Sequence, residues 1–161
     1  MKHKFVVDEN IFYCAIKCVD EYENKDFSSA RFITLLQKNC HKMHFDRESN
    51  HHYEKNLQNK LESISLKESD LLGLGIAKII QDIVHNSEKT IREYSGSMQF
   101  PNENELPHKD VYIVRCANYF SAKIVTLDKD LRDTVNAHAF LKQKGVKALH
   151  PKDAIKLASE S

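Results

Sequence analysis

Two short apolar runs in this chain stop on an aspartate, and a helical pattern follows each of them. One lies in the stretch from Pro107 to Arg132, PHKDVYIVRCANYFSAKIVTLDKDLR. Pro107 suits the first turn of a helix, where a missing N–H costs nothing. Asp110, Ile113, Val114 and Ala117 then fall at i, i+3, i+4 and i+7, one face of that helix. Ser121-Ala122 breaks it, and Ile124–Leu127 reads as a buried strand that ends on Asp128. At the other end of the chain Phe5-Val6-Val7 reads as a strand that ends on Asp8. In open α/β sheets ligands bind outside the carboxyl ends of the strands. Asp8 and Asp128 are therefore expected at one sheet edge, with Asp110 on a helix returning to it. Taken singly, the acids ask for no ligand: Asp110 favours a helix N-terminus and Asp128 starts a turn.

The rest of the chain supplies more strands and helices in alternation. After Asp8, the positions Phe12, Ala15, Val19 and Tyr22 predict a helix of about four turns. A second helix starts near Ser28, with Ala30, Ile33, Leu36 and Cys40 on one side, and Lys42–Phe45 reads as a short strand. Asp46–Asn50 is a turn, and Tyr53, Leu57, Leu61 and Ile64 mark another amphipathic helix. Ser65–Glu68 is a capping box, opening a helix that carries Leu72, Ile76, Ile80 and Ile83. Gly73 and Gly75 inside it either permit close packing or mark a break. A further helical piece is expected to about Tyr94. Ser95–Leu106 reads as a loop, with a short strand at Ser97–Phe100 and a role facing substrate. Asp133–Lys144 reads as a helix closed by Gly145, Val146–Leu149 as the last strand, and Pro151 as the start of the last helix. The pattern implies a three-layer α/β/α sandwich with a central parallel sheet. It is expected to be one domain over residues 1–161, with a long helical middle section at about 50–94. The first strand should lie in the sheet interior beside the strand ending on Asp128, because their acids must meet.

Composition narrows the partners. The chain has 161 residues, 41% hydrophobic and 29% charged, enough for one core. It has no apolar run long enough to cross a membrane and no secretory signal pattern, so a cytoplasmic location is expected. A net charge of +1 does not announce nucleic-acid binding. A local basic patch remains open at Lys38, His41, Lys42, His44 and Arg47. The cysteines are Cys14, Cys18, Cys40 and Cys116. Cys14 and Cys18 with Cys40, His41 and His44 sketch a zinc site, but buried free thiols among apolar neighbours fit better. No G-x-S-x-G or H-E-x-x-H is present. The Gly73/Gly75 pair follows no strand and is not a phosphate loop.

Asp8 and Asn10 in VVDEN, Asp110 opening DVYIVRCANYF, and the T-x-D-x-D-L pattern of IVTLDKDL together resemble the PIN-domain family of metal-dependent nucleases. The 18-residue spacing from Asp110 to Asp128 and the closing GVKALHPKDAIKLA are also similar to that family. The resemblance covers residues 4–23 and 107–157. It implies a PIN-like fold and a Mg²⁺- or Mn²⁺-dependent endoribonuclease. Asp8, Asp110 and Asp128 would be metal ligands. A glutamate on the helix after the second strand would be the fourth acid: Glu54, or Glu48 in its place. A solvated glutamate in a Glu/Lys-rich helix is the plain reading of Glu54. Asn10 would bond Asp8 or substrate, and His108 is either a phosphate contact or a surface residue. Asp130 is an outer ligand or a turn cap. The expected partner is RNA. A toxin–antitoxin role, another protein partner or a homodimer stays open. The alternative is a catalytically inactive PIN-like module that binds RNA or protein. A phospho-receiver domain fits poorly, since no acid ends a middle strand with a lysine late in the chain to match it.

Overall fold

The fold is that of a computed structural model, which describes residues 2–46, 59, 71–86, 88–93 and 98–160. Five parallel strands form one sheet: β1 (Lys4–Val7), β2 (Lys42–Asp46), β3 (Thr90–Glu93), β4 (Lys123–Val125) and β5 (Ala148–Leu149). Their order is β3-β2-β1-β4-β5, so β1 is central and lies beside β4, as expected. Side chains alternate across a strand, and β1 uses both faces. Phe5 and Val7 join a core with Ile11, Phe32, Ile33 and Ile80, while Val6 joins a second core with Val114, Ile124 and Leu131. Helices thus cover both faces of a parallel sheet. No helix among the described residues is long and apolar enough to cross a membrane.

The first helix, α1 (Glu9–Lys17), is shorter than the apolar spacing suggests. Cys18 takes a left-handed conformation, φ 55°, and its N–H donates to Ala15 O. The Val19 N–H donates to Cys14 O. Together these bonds form a Schellman stop. Beyond it Val19 bridges Lys25, and the Asp20 carboxylate accepts the N–H groups of Tyr22 and Asn24. Tyr22 is consequently exposed rather than on a core face. Helix α2 (Ser28–Lys38) stops before Cys40, which is left-handed and exposed. Cys14, Cys18 and Cys116 are buried, and none of the four cysteines is in a disulfide.

Helix α3 (Leu71–His85) runs unbroken through both glycines. They differ in what they permit. A Cβ on Gly73 would stand 2.9 Å from Ile16 O, whereas one on Gly75 would meet nothing within 4 Å. Gly73 is therefore the close approach of α3 to α1, and the atom it faces is backbone, which cannot move aside. Gly73→Ala is expected to destabilise the fold by about 1–3 kcal/mol, the usual cost of overpacking. Gly75→Ala should stabilise it by up to about 1 kcal/mol through helix propensity. Denaturant unfolding of both variants checks this. Equal effects of the two substitutions would contradict the close packing.

The chain does not continue as helix to Tyr94. Asn86 turns it: its side chain accepts the Glu88 N–H and its carbonyl accepts the Thr90 N–H. The β-branched pair Thr90-Ile91 then enters β3, which pairs with β2 from Met43↔Thr90 to Asp46↔Glu93. An available strand partner outweighs a short stretch of helical spacing. Of the expected helix at Tyr53–Ile64 only Asn59 is described, and it is helical; the rest of that helix, the capping box at Ser65–Glu68, and Glu48 and Glu54 lie outside the described residues.

Residues 98–100 form no strand. Phe100 is buried and stacks on Phe140, centroids 6.0 Å apart, and Leu106 is buried too. Phe100 and Leu106 anchor this part of the loop to the core, and residues 94–97 lie outside the described residues. A 3₁₀ turn at His108–Asp110 leads into α4 (Val111–Phe120), which a left-handed Ser121 closes. After β4, α5 (Lys129–Ala137) begins directly behind Asp128. The single helix expected over Asp133–Lys144 is two. His138 separates them, its ring nitrogen accepting the Leu141 N–H to cap α6 (Ala139–Gln143). Gly145, φ 73°, ends α6 as expected. The edge strand β5 is shielded by Asn136, whose side chain bonds both the N–H and the carbonyl of Ala148. Helix α7 (Pro151–Ala158) completes the chain's core.

Candidate functional site

Asp8 and Asp128 follow the neighbouring strands β1 and β4, at their carboxyl ends. The ladder persists up to the first acid, since the Asp8 N–H donates to Val125 O at 2.9 Å. Asp8 occupies the N-cap of α1 but makes no side-chain capping bond. Its Oδ2 instead accepts from the Thr126 hydroxyl at 2.7 Å. The same Thr126 oxygen accepts the Asp128 N–H at 3.1 Å. Thr126 is fully buried. It fixes the Asp8 carboxylate and the turn that carries Asp128 with one hydroxyl group.

Asp110 reaches the site from the other direction, at the N-cap of α4. Its side chain also makes no capping bond. Asp8 and Asp110 are each only 9% exposed. Asp110 Oδ2 has no hydrogen-bond partner among the described residues. Burial pushes the Asp110 carboxyl up to about 6, helped by the negative charges of Asp8 and Asp128 and opposed by Lys109. Burial raises Asp8 as well; the Thr126 bond opposes this, and Glu9 and Asp128 add to it. The three acids thus sit within one another's electrostatic reach. Asp128 is half-buried, and its Oδ1 accepts the Leu131 N–H at 3.1 Å, which caps α5. Asp130 is exposed in the first turn of that helix, so the cap belongs to Asp128 and not to Asp130.

Asn10 adds a second orphan. Its Oδ1 is buried and has no partner among the described residues. A buried acceptor left unpaired costs about 1–3 kcal/mol, and two of them next to buried, mutually repelling carboxylates are poorly explained by stability alone. A cation with bound water would supply the missing donors and charge. Among the described residues, no three His, Cys, Asp or Glu side chains form a closed metal cage. Mg²⁺ does not require one, since it keeps several waters and is commonly held by one or two carboxylates together with substrate phosphate. The donors around Asp8 and Asp110 fit that kind of ion.

His108 is exposed and lines a cavity of about 530 Å³ with Leu106, Val111 and Tyr112, and none of the three acids lines it. Of the basic patch expected at Lys38, His41, Lys42, His44 and Arg47, the two histidines contribute no charge, because both rings are buried; Lys38 is exposed, and Arg47 lies outside the described residues. His41 accepts the His3 N–H at Nδ1 and pairs Nε2 with Ala158 O, so the Nε2 carries the proton. His44 packs against Phe120, centroids 4.2 Å apart with the rings tilted by 35°, and burial followed by the charges of Lys4 and Lys42 pulls it down to about 4. Neither ring is a cation at neutral pH. Glu54 and Glu48 lie outside the described residues. Thr126 is the residue the sequence reading passed over. Its signal was present, as the first letter of the T-x-D-x-D-L pattern.

No family model matches this sequence, and no curated protein or solved structure matches the chain.

Proposed function

We propose that this chain is a metal-dependent endoribonuclease of PIN type, hydrolysing RNA phosphodiester bonds at Asp8, Asp110 and Asp128. The observation that carries the reading is the pair of buried acids, Asp8 at the end of β1 and Asp110 at the start of α4, with Asp110 Oδ2 unpartnered among the described residues and its carboxyl raised to about 6. Buried carboxylates that repel one another and lack donors mark functional sites more often than structural ones. Asp8 and Asp110 would hold Mg²⁺ or Mn²⁺, with Asp128 Oδ2 free of the capping bond on the same edge. When bound, such an ion lowers the pKa of a water and offsets charge on the phosphate. Thr126 keeps the Asp8 carboxylate oriented, and the burial of both acids excludes bulk water from their inner oxygens. Asn10 Oδ1 can accept from a bound water or a ribose hydroxyl.

Purified protein incubated with single-stranded RNA is expected to cleave it with Mg²⁺ or Mn²⁺ and not with EDTA. The absence of a closed three-residue metal cage among the described residues favours a second reading, a module that binds RNA without cutting it. Retained RNA binding with no cleavage under any divalent ion would replace the first reading by the second.

A further inference from the structure

We infer that Arg132 binds a phosphate of the RNA backbone, the neighbour of the phosphate held at the acids. The inference rests on the nuclease reading for its substrate class, but not for the placement of the side chain. Arg132 lies in α5, one turn after Asp128, and its backbone N–H donates to Asp128 O at 3.1 Å. Its Nη1 donates to Thr126 O at 3.0 Å. Thr126 is also the residue whose hydroxyl bonds Asp8 Oδ2. One residue therefore separates the guanidinium from the Asp8 carboxylate, and both stand at the carboxyl edge of the sheet.

Part of this bond is structural. β4 pairs with β5 in parallel, and the N–H groups of Ile124 and Thr126 donate to the carbonyls of Lys147 and Leu149. Continued by one step, that ladder would bring the N–H of residue 151 to Thr126 O. Pro151 stands there and has no N–H, and the Arg132 fork fills the gap. A neutral donor would satisfy the carbonyl equally well, so the bond accounts for one N–H and not for the charge. Arg132 pairs with no carboxylate among the described residues. The acids around it are engaged elsewhere: Asp128 Oδ1 with the Leu131 N–H, Asp133 with Lys129, and Glu21 with His150. The side chain is half-buried, so part of it is open to solvent. A fixed guanidinium with donors to spare matches a phosphate, whose oxygens the planar fork can take bidentately. Thr126 turns its hydroxyl to β1 and its carbonyl to the β5 side. A backbone crossing the edge from β1 towards β5 thus meets the acids first and the cation next.

The test is the salt dependence of binding without catalysis. Fluorescein-labelled single-stranded RNA is titrated with the full-length protein in EDTA over a range of salt, and anisotropy is followed. One phosphate contact on a single strand contributes about 0.7 to the slope of log K against log salt. Arg132→Gln is expected to lower the slope by that amount, and Arg132→Lys, which keeps the charge, to retain it. Lys38→Gln, exposed at the end of α2, should match wild type. A residue that only satisfied Thr126 O could alter affinity through stability but would leave the slope unmoved. A second measurement needs no variant: saturating RNA should protect Arg132 of the wild type from phenylglyoxal, read by mass spectrometry. A slope lost in Arg132→Gln, or such protection, in a protein that never cleaves RNA would uphold the contact and remove the nuclease reading. Metal-dependent cleavage lost in Asp8→Asn, with the slope unchanged in Arg132→Gln or Arg132 modified as fast with RNA as without, would overturn the contact alone. A wild type that binds no RNA at the lowest salt would overturn it as well.

Discussion

Asp8→Asn is expected to lower metal-dependent RNA cleavage by about two to three orders of magnitude, the effect of removing one preorganised electrostatic group from an active site. The substitution keeps the shape of the side chain and the acceptor for Thr126, so the loss would report the missing charge. Asp110→Asn should fall by a similar factor. Thr126→Val is the informative companion. It removes the hydroxyl that bonds Asp8 Oδ2 and the Asp128 N–H while leaving every acid in place. Loss of such an outer partner costs about 10–100-fold in metal affinity or activity. Its effect should therefore lie between wild type and Asp8→Asn, and higher Mn²⁺ should recover part of it. Asp82→Asn, exposed on α3, should cleave like wild type. Cleavage in Asp8→Asn equal to wild type would assign the activity to a contaminating ribonuclease.

What was legible in the sequence followed from how strongly each segment was determined by its own residues. Phe5–Val7 and Ile124–Val125 are apolar and central, and both lie in strands as expected, although the second strand stops at Val125 and does not run on to Leu127. The face Asp110, Ile113, Val114, Ala117 is buried as its spacing implies. The failures are places where a local bond or a distant partner decides. The stop of α1 rests on a left-handed Cys18, a conformation that side-chain periodicity does not encode. The split at His138 depends on a ring nitrogen acting as a cap. The strand at Thr90–Glu93 exists because β2 has an open edge, which a helical reading of that short stretch cannot see. At the site, the sequence located acids but not the group that aligns them. Thr126 looked like one more strand residue, and only the pairing of β1 with β4 puts its hydroxyl against Asp8. His41 and His44 failed as a basic patch for the opposite reason, since the fold takes both inside and keeps them neutral.

Metal-free protein should become less stable as the pH rises from about 4 to about 6, and Asp110→Asn should remove most of that slope. The folded Asp110 carboxyl titrates near 6, above its ordinary value of 3.8. Between those values the folded state holds a proton that the unfolded state has released. Unfolding free energy then falls with rising pH through the window and levels off above it. At about 1.4 kcal/mol per unit, the gap corresponds to at most about 3 kcal/mol. Asp8, also raised, acts in the same direction. At pH 7.5 without metal, Asp110→Asn is accordingly expected to melt several degrees above wild type, with about 2–4 °C per kcal/mol for a chain of this size. Divalent metal should close most of that gap. Mn²⁺ at a hundred times its Kd stabilises the folded protein by about 2.7 kcal/mol, and the Asn variant should gain far less. The metal response of wild type should itself grow through pH 6, because the ion competes with the Asp110 proton. Asp82→Asn is the control. A melting curve that Mn²⁺ leaves unmoved at pH 7.5, or a shift of equal size in wild type and Asp110→Asn, would show that these acids repel one another without binding an ion.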